Sequence, residues 1–210
     1  MPLYRTYKEG NLTVGIWKVD ETVEQLRSMF HQFSIYEEGL ARFSSERMKQ
    51  EWLAVRVLLK ELCGEEKPIA YLPSGKPYLE DRSMHVSFSH TKDYVAVAVH
   101  PSVEVGVDIE QYGTRVQRIA SRFIREDERV SVAAGHEIYA LLLHWSAKET
   151  LFKLMEEEAV DFIRHLHIHP FVPAESGTFQ ASEYRSGQGR TFVVHYDTHP
   201  AYVLTFACLE

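Results

Sequence analysis

Three short runs of β-forming residues follow one another in the middle of the chain, and they limit the folds available to it. The runs extend from Val86 to Ser89, from Tyr94 to His100 and from Val105 to Glu110, with turn-length gaps between them. Such runs predict an antiparallel meander. Helical and strand patterns occur in clumps and do not alternate regularly, which favours an α+β fold.

Helix and strand signals on either side of these runs suggest two similar halves. Leu12 to Val19 predicts a strand, after which Asp20 is expected to cap a helix to about His31. Apolar residues at helical spacing from Met48 to Leu62 predict a longer helix that ends at Gly64. Two or three helices are expected over about Arg115 to Met155, and strands over Thr191 to Tyr196 and Tyr202 to Leu209. We therefore expect one half over residues 1–104 and another over residues 105–210.

The net charge and the cysteine count restrict the classes of function. The formal charge is −7, whereas proteins that bind nucleic acid or anionic membranes need an electropositive surface. Cys63 and Cys208 cannot form a disulfide framework, which favours a reducing, cytoplasmic location. The first residues lack the apolar core of a signal peptide, and no apolar stretch is long enough to span a bilayer. These features favour a protein that holds a small ligand.

A first candidate cluster is the run Val105-Gly106-Val107-Asp108-Ile109-Glu110. On a strand, Asp108 and Glu110 share one face with Gly106. Carboxylates at positions i and i+2 are roughly 6.6 Å apart along a strand, close enough to share one cation. Gly106 is expected to leave room for an approaching ligand. A half-exposed strand with an acidic outer face explains the same pattern.

A second candidate cluster lies on the predicted helix that contains Trp145, Glu149 and Lys153. Spacing by four stacks these residues along one face of the helix. A solvated Glu–Lys pair is the simplest alternative. Apolar residues between Ile138 and Leu142 mark the same side as inward-facing, however, which puts both charges at the edge of buried surface, where charges need partners.

A third candidate cluster combines the Gly75-Lys76 turn with Ser89 and His90 at a strand end. A Gly-Lys turn can offer a cation and backbone N–H groups to a phosphate. A packed or solvent-facing imidazole is the alternative for His90.

The order of these clusters resembles the 4′-phosphopantetheinyl transferase superfamily, in particular its long, surfactin-synthetase-activating type. The motifs are Gly-Lys-Pro, Phe-Ser-His, Gly-Val-Asp-Ile-Glu and Trp-Ser-Ala-Lys-Glu-x-x-x-Lys, and they extend from about Arg47 to Lys153. The resemblance implies a monomer of two similar α+β halves in a pseudo-twofold arrangement, with the active site in the cleft between them. It also implies transfer of the phosphopantetheine arm of coenzyme A to a serine of an acyl or peptidyl carrier protein, with release of adenosine 3′,5′-bisphosphate.

The resemblance further implies roles for individual residues. The expected Mg²⁺ ligands are Asp108, Glu110 and Glu149, and the expected catalytic residues are Asp108, Glu149 and Lys153. The expected coenzyme A contacts are Arg47, which lies nine residues before Arg56 in an Arg-x₈-Arg helix, and Lys76, Ser89 and His90. The 1–104 half would thus bind the coenzyme A phosphates, and the 105–210 half would supply the metal ligands and catalytic groups. Mg²⁺ accepts a few carboxylates together with phosphate oxygens, which agrees with this set, although Mn²⁺ accepts similar ligands.

The sequence departs from the family pattern at two places. The segment from Leu154 to Asp161 is acidic and has no glycine where the long type is often glycine-rich, and Ser87 stands where asparagine is frequent. The contribution of the acidic Glu156–Glu158 run to binding of the arm or carrier is therefore open.

A basic stripe follows the first cluster. Its members step by three, four and three residues along a predicted helix: Arg115, Arg118, Arg122 and Arg125. Because carrier proteins of this system are typically acidic, the stripe is a candidate docking surface, and a solvated face balanced by the following acids is the alternative.

Two other functions use the same residues. A metal-dependent nucleotide pyrophosphohydrolase would use the carboxylates with water as acceptor, but the sequence has no further acid or histidine cluster for a second metal. A non-catalytic coenzyme A-binding protein would tolerate the loss of Asp108, Glu149 or Lys153, all of which are present.

Overall fold

The computed structural model describes residues 3–131, 135–155 and 159–209. It divides into two compact units, Met1–Pro101 and Ser102–Glu210, each with its own cluster of buried apolar side chains. Both units mix helices and strands, in agreement with the α+β prediction. Within the described ranges, no helix combines the length and the apolar character needed to cross a membrane.

The first unit contains an antiparallel four-stranded sheet in the order β1-β2-β6-β5 and a separate two-stranded hairpin, β3-β4. Its strands are β1 (Leu3–Glu9), β2 (Leu12–Lys18), β3 (Ile69–Tyr71), β4 (Pro77–Leu79), β5 (His85–Thr91) and β6 (Tyr94–His100). Its helices are α1 (Val23–Arg27), α2 (Glu37–Ala41) and α3 (Glu46–Cys63), and a 3₁₀ turn covers Phe33–Tyr36. Apolar residues of α3 pack into the core, and Gly64 ends the helix with a left-handed φ of 76°, as predicted.

The start of α1 differs from the sequence-based expectation. The capping residue is Thr22, not Asp20, because the Thr22 hydroxyl accepts from the Gln25 N–H while the Gln25 side chain accepts from the Thr22 N–H. The helix ends at Arg27, short of the predicted His31.

The second unit contains a five-stranded antiparallel sheet in the order β7-β11-β10-β9-β8. Its strands are β7 (Val105–Gln111), β8 (Leu166–Ile168), β9 (Ser176–Glu183), β10 (Thr191–Thr198) and β11 (Tyr202–Cys208). Its helices are α4 (Arg115–Ile119), α5 (Glu137–Leu154) and α6 (Phe162–His165), and a 3₁₀ turn covers Ala120–Arg122. The predicted C-terminal strand pair is confirmed as β10 and β11.

The predicted three-stranded meander is wrong in its last member. β5 and β6 pair as expected, but β7 pairs with β11, with Asp108 opposite Thr205. The physical reason is that β6 already has β2 on one edge and β5 on the other, so no edge remains for β7.

Candidate active site

The two acids of β7 lie on the strand face that packs against α5. Val105, Val107 and Ile109 alternate with the other residues of the strand and are almost fully buried. The residues between them face α5, because Asp108 and Glu110 form hydrogen bonds with side chains of that helix. The two acids therefore share one face of the strand, as the strand periodicity predicts.

The side chains of α5 that meet these acids are spaced by four residues, so they follow one face of the helix. The Trp145 indole N–H donates to Glu110 at 2.6 Å. The Lys153 ammonium donates to an Asp108 carboxylate oxygen at 2.7 Å and to the Val107 carbonyl at 3.1 Å. Two segments that are far apart in the sequence, β7 and α5, are therefore in direct contact through these side chains.

Aromatic packing holds Trp145 in this orientation. Its ring centroid lies 5.2 Å from that of Phe123, in an edge-on arrangement, and 5.5 Å from that of Phe162. A large ring held on two sides presents its single N–H in a fixed direction. The direction of the hydrogen bond to Glu110 is thus set by the core of the second unit.

Glu110 and Glu149 are half-buried, and their carboxylates lie close to other negative charges. Burial, together with the Asp108 charge, raises the pKa of Glu110 to about 7, against the opposing effects of Trp145, Lys153 and Arg115. Burial and the charges of Asp108 and Glu110 also raise the pKa of Glu149 to about 7, while Lys153 opposes the shift. Three acids therefore interact across β7 and α5, and the half-buried Lys153 lies among them.

This donor set has the chemistry that a hard divalent cation satisfies: oxygen ligands whose mutual repulsion a cation relieves. Within residues 3–131, 135–155 and 159–209, no three histidine, cysteine, aspartate or glutamate side chains are already placed as a closed metal site. An open arrangement agrees with Mg²⁺, which usually takes one or two carboxylates and completes its shell with water and substrate phosphates.

Gly106 has a different role from the one that the sequence suggested. A Cβ atom at this position would lie 2.2 Å from the backbone carbonyl oxygen of Thr150 and 3.1 Å from the Leu154 side chain. The glycine therefore permits close approach of β7 and α5, and does not leave room for a ligand. It sets the distance at which Asp108 and Lys153 meet.

In the first unit, Arg47 and His90 meet at one acid of α3. Glu51 accepts from the Arg47 Nε at 2.9 Å and lies 3.5 Å from the His90 Nδ1. Arg47 also lies 3.8 Å from Asp93, in the turn between β5 and β6. Two of the four expected coenzyme A contacts are therefore close together, with an acid between them that the sequence analysis did not consider.

The other two expected contacts are Ser89 and Lys76. Ser89 is buried and, as the neighbour of His90 on β5, belongs to the opposite face of the strand. Lys76 is half-buried and follows Gly75, whose left-handed φ of 87° shapes the turn before β4. Ser89 and His90 thus do not form a joint pair of donors at a strand end, because β5 continues to Thr91 and alternates their direction.

A cavity of about 540 Å³ in the first unit contains a buried arginine that was not among the expected contacts. Arg56 is 5% exposed; its guanidinium lies 3.3 Å above the Trp52 ring and donates to the Trp52 carbonyl. Among the described residues no carboxylate pairs with it. The cavity is also lined by Arg42, Tyr36 and Tyr71. The Arg-x₈-Arg pattern already contained Arg56, but its burial depends on tertiary packing.

The arginines after β7 do not form one continuous helical stripe. α4 ends at Ile119 and a 3₁₀ turn follows, so Arg125 lies outside regular helix. Arg115, Arg118 and Arg122 are exposed, whereas Arg125 is bound at 2.8 and 3.0 Å to Asp127. Three arginines therefore remain available on this surface. The acidic Glu156–Glu158 run lies outside the described residues.

Comparison with protein-family models relates the second unit to a known superfamily. The model of the 4′-phosphopantetheinyl transferase superfamily matches residues 104–207, a range that begins just before β7 and ends within β11. It includes Asp108, Glu110, Glu149 and Lys153. No curated protein matches the chain.

Proposed function

Because residues 104–207 form a domain of the 4′-phosphopantetheinyl transferase superfamily, we propose that the protein transfers the 4′-phosphopantetheine arm of coenzyme A. The acceptor is a serine hydroxyl of an acyl or peptidyl carrier protein, and the by-product is adenosine 3′,5′-bisphosphate. The order of the Gly-Lys-Pro and Phe-Ser-His motifs ahead of this domain favours the long, surfactin-synthetase-activating type within the superfamily.

The observation that carries this proposal is the meeting of β7 and α5 at Asp108 and Lys153. Their 2.7 Å contact brings a carboxylate and an ammonium together inside the matched range. The charge of Glu110 is close enough to contribute to the raised pKa of Glu149. Transfer of a phosphoryl-type group needs mainly positioning and charge stabilisation, which such a cluster supplies.

Asp108 and Glu149 would hold Mg²⁺, with Glu110 as a direct or water-mediated ligand. When bound, the cation supplies neutralisation of the pyrophosphate charge. The carboxylate oxygens of these three residues agree with the preference of Mg²⁺ for few protein ligands.

The remaining chemistry is assigned to the side chains. Glu149, or a water that it orients, accepts the proton of the carrier serine. The serine oxygen forms a bond to the phosphorus of the pantetheine phosphate, and the bond from that phosphorus to the bridging oxygen breaks. The departing bisphosphate carries away the electron pair, and the Lys153 ammonium stabilises its charge.

Arg47, Lys76, Ser89 and His90 are proposed contacts for the phosphates of coenzyme A. The Arg56 cavity is proposed to bind the nucleotide part of the substrate. A buried guanidinium without a carboxylate partner suits a phosphate, and the surrounding Trp52, Tyr36 and Tyr71 rings suit a base. Sequence analysis had assigned no ligand to this cavity.

The test is transfer to an apo carrier protein, followed by intact-protein mass spectrometry with coenzyme A and Mg²⁺ present. The carrier should gain the mass of one phosphopantetheine arm. Asp108→Ala should reduce the rate by at least about a hundredfold, a typical effect of losing an electrostatic catalytic group, and chelation of divalent cations should have the same effect. Asp20→Ala, which removes an exposed aspartate of the first unit, is the matched control.

Two results would reject the proposal in different directions. Cleavage of coenzyme A without a change in carrier mass indicates a pyrophosphohydrolase. Binding of coenzyme A without either reaction indicates a non-catalytic binding protein.

A further inference from the structure

Three histidines alternate with two apolar residues in and directly beside β8, the outer strand of the five-stranded sheet. The run is His165-Leu166-His167-Ile168-His169. Leu166 and Ile168 are fully buried, while the histidines are half-buried. β8 is the edge of the sheet, with β9 as its only neighbour in the sheet order. The alternation therefore directs the apolar side chains to the core and the imidazoles of His167 and His169 to the other face.

The two imidazoles of His167 and His169 have the spacing of a chelating pair. Their ring centroids are 4.8 Å apart and the rings are inclined at 51°. When two imidazoles bind the same cation, the metal–nitrogen bonds are about 2.1 Å long and the nitrogen–metal–nitrogen angle is roughly between a right angle and a tetrahedral angle. The two ring centroids are then about 4.5–5.2 Å apart. The observed separation of the two rings is therefore within the range expected for two imidazoles that bind one ion.

We propose that His167 and His169 bind a divalent d-block cation, with Zn²⁺ as the representative ion, at a site separate from the carboxylate cluster. Imidazole nitrogen suits such ions, whereas the acids of β7 and α5 offer only oxygen. Among the described residues no three candidate ligands form a closed site. Water therefore completes the coordination shell of this two-histidine site.

The neighbouring serine supplies the support that a ligating histidine usually has. Ser182 lies opposite His167 in the β8–β9 ladder and is 4% exposed. Its Oγ is 2.8 Å from the His169 Nε2 and 2.9 Å from the Thr191 Oγ1. Either Ser182 or Thr191 can donate in their contact, and when the His169 proton is on Nε2 the Ser182 hydroxyl accepts from that ring. This leaves the His169 Nδ1 lone pair for the cation.

The charged groups around the pair are otherwise engaged. Glu128 is bound to Lys148, Asp127 is bound to Arg125, and His165 accepts the backbone N–H of Asp161. The two remaining imidazoles are therefore the groups that an incoming cation meets.

The experiment is a calorimetric titration of Zn²⁺ into the full chain, metal-free and without a polyhistidine tag. One Zn²⁺ should bind per chain and raise the thermal unfolding midpoint. His167→Asn and His169→Asn should each weaken Zn²⁺ binding more than about tenfold, since each removes one of two protein ligands. His31→Asn, at an exposed position in the first unit, is the matched control and should bind as the native chain does.

Two further measurements separate this site from the carboxylate cluster and from folding defects. Asp108→Asn should retain Zn²⁺ binding, because the histidine site does not use that acid. In the native chain, Zn²⁺ should shift the imidazole nitrogen resonances of His167 and His169 in NMR spectra. Undiminished binding in both histidine variants, loss of binding in Asp108→Asn, unshifted resonances, or no binding to the native chain would each overturn the proposal. Loss of binding in Asp108→Asn would place the cation at the carboxylate cluster, whereas the other three results do not bear on phosphopantetheine transfer.

Discussion

The ammonium of Lys148 lies 2.8 Å from a carboxylate oxygen of Glu128, and neither side chain is exposed to solvent. Lys148 also donates to the carbonyls of Phe123 and Phe162. Glu128 accepts in turn from the backbone N–H groups of Arg125 and Ile168. The pair therefore ties the segment before α5 and the end of β8 to the helix that carries Glu149 and Lys153.

Breaking this pair on one side should be costly. Glu128→Gln leaves an uncompensated ammonium in the core and should lower the free energy of unfolding by about 3–5 kcal/mol. The double variant Glu128→Leu with Lys148→Met removes both charges and should lose much less. Urea denaturation measures both. Glu38→Gln, which breaks the exposed Arg42–Glu38 pair, is the control and should lower the free energy of unfolding by under about 1 kcal/mol. If Glu128→Gln and Glu38→Gln cost the same, the buried pair does not have the proposed structural role.

The close approach of β7 and α5 depends on Gly106. Gly106→Ala places a methyl group against the Thr150 carbonyl, which cannot move without distorting α5, so stability should fall by at least about 2 kcal/mol. Gly113→Ala is the matched control, because a Cβ there meets nothing within 4 Å. Thermal and urea unfolding should separate the two variants, and similar stabilities would show that the helix gives way easily.

His144 should make folding sensitive to acid. It is 1% exposed, its Nδ1 lies 2.8 Å from the Ala140 carbonyl, and burial lowers its pKa. The His144 imidazole takes up a proton near pH 6.5 in the unfolded state and only at lower pH in the folded state. The free energy of unfolding is therefore unaffected by His144 well above pH 6.5 and decreases as the pH falls below it. The slope reaches at most about 1.4 kcal/mol per pH unit.

The difference between native and variant curves isolates this effect from other titrating groups. His144→Gln keeps a donor for the Ala140 carbonyl and does not titrate, so its free energy of unfolding should fall less between pH 7 and pH 5. His31→Gln, at an exposed site, should follow the native curve. Parallel curves for the native protein and His144→Gln would rule out His144 as the source.

The Arg56 cavity should contribute to nucleotide binding. Arg56→Met keeps much of the apolar stem and removes the charge, so the affinity for adenosine 3′,5′-bisphosphate should fall roughly tenfold or more. Arg27→Met is the control, because Arg27 also lies over an aromatic ring, that of Phe33, but not in the cavity. Calorimetry measures both affinities. Unchanged binding by a folded Arg56→Met protein would exclude the cavity as the nucleotide site.

The exposed arginines after β7 should affect the carrier substrate alone. Arg118→Glu with Arg122→Glu should raise KM for an acidic carrier protein about tenfold and leave KM for coenzyme A unchanged, because the charge reversal acts on docking. Arg115 is not substituted, because its positive charge lowers the pKa of Glu110 and its loss would also change the candidate active site. The control is Arg129→Glu with Arg164→Glu, two exposed positions of the same unit. Equal changes in both KM values would defeat the docking role.

The local periodicities explain why part of the candidate site was predictable. A strand alternates its side chains and a helix repeats every 3.6 residues, so Asp108 and Glu110 had to share a face, as did Trp145, Glu149 and Lys153. The partners of those faces were not predictable from spacing. The Glu51 link between Arg47 and His90 joins a helix to a strand far along the chain.

The amino-acid sequence by itself determined the chemical groups, the faces on which they lie and the mixed α and β class, because backbone geometry acts locally and in the same way in any fold. Only the tertiary structure decided which faces meet. It moved β7 from the meander to an edge beside β11, placed Gly106 against a helix backbone, and buried Arg56, Lys148 and Glu128. These outcomes depend on which strand edges remain open and how closely elements pack, and both are properties of the whole chain.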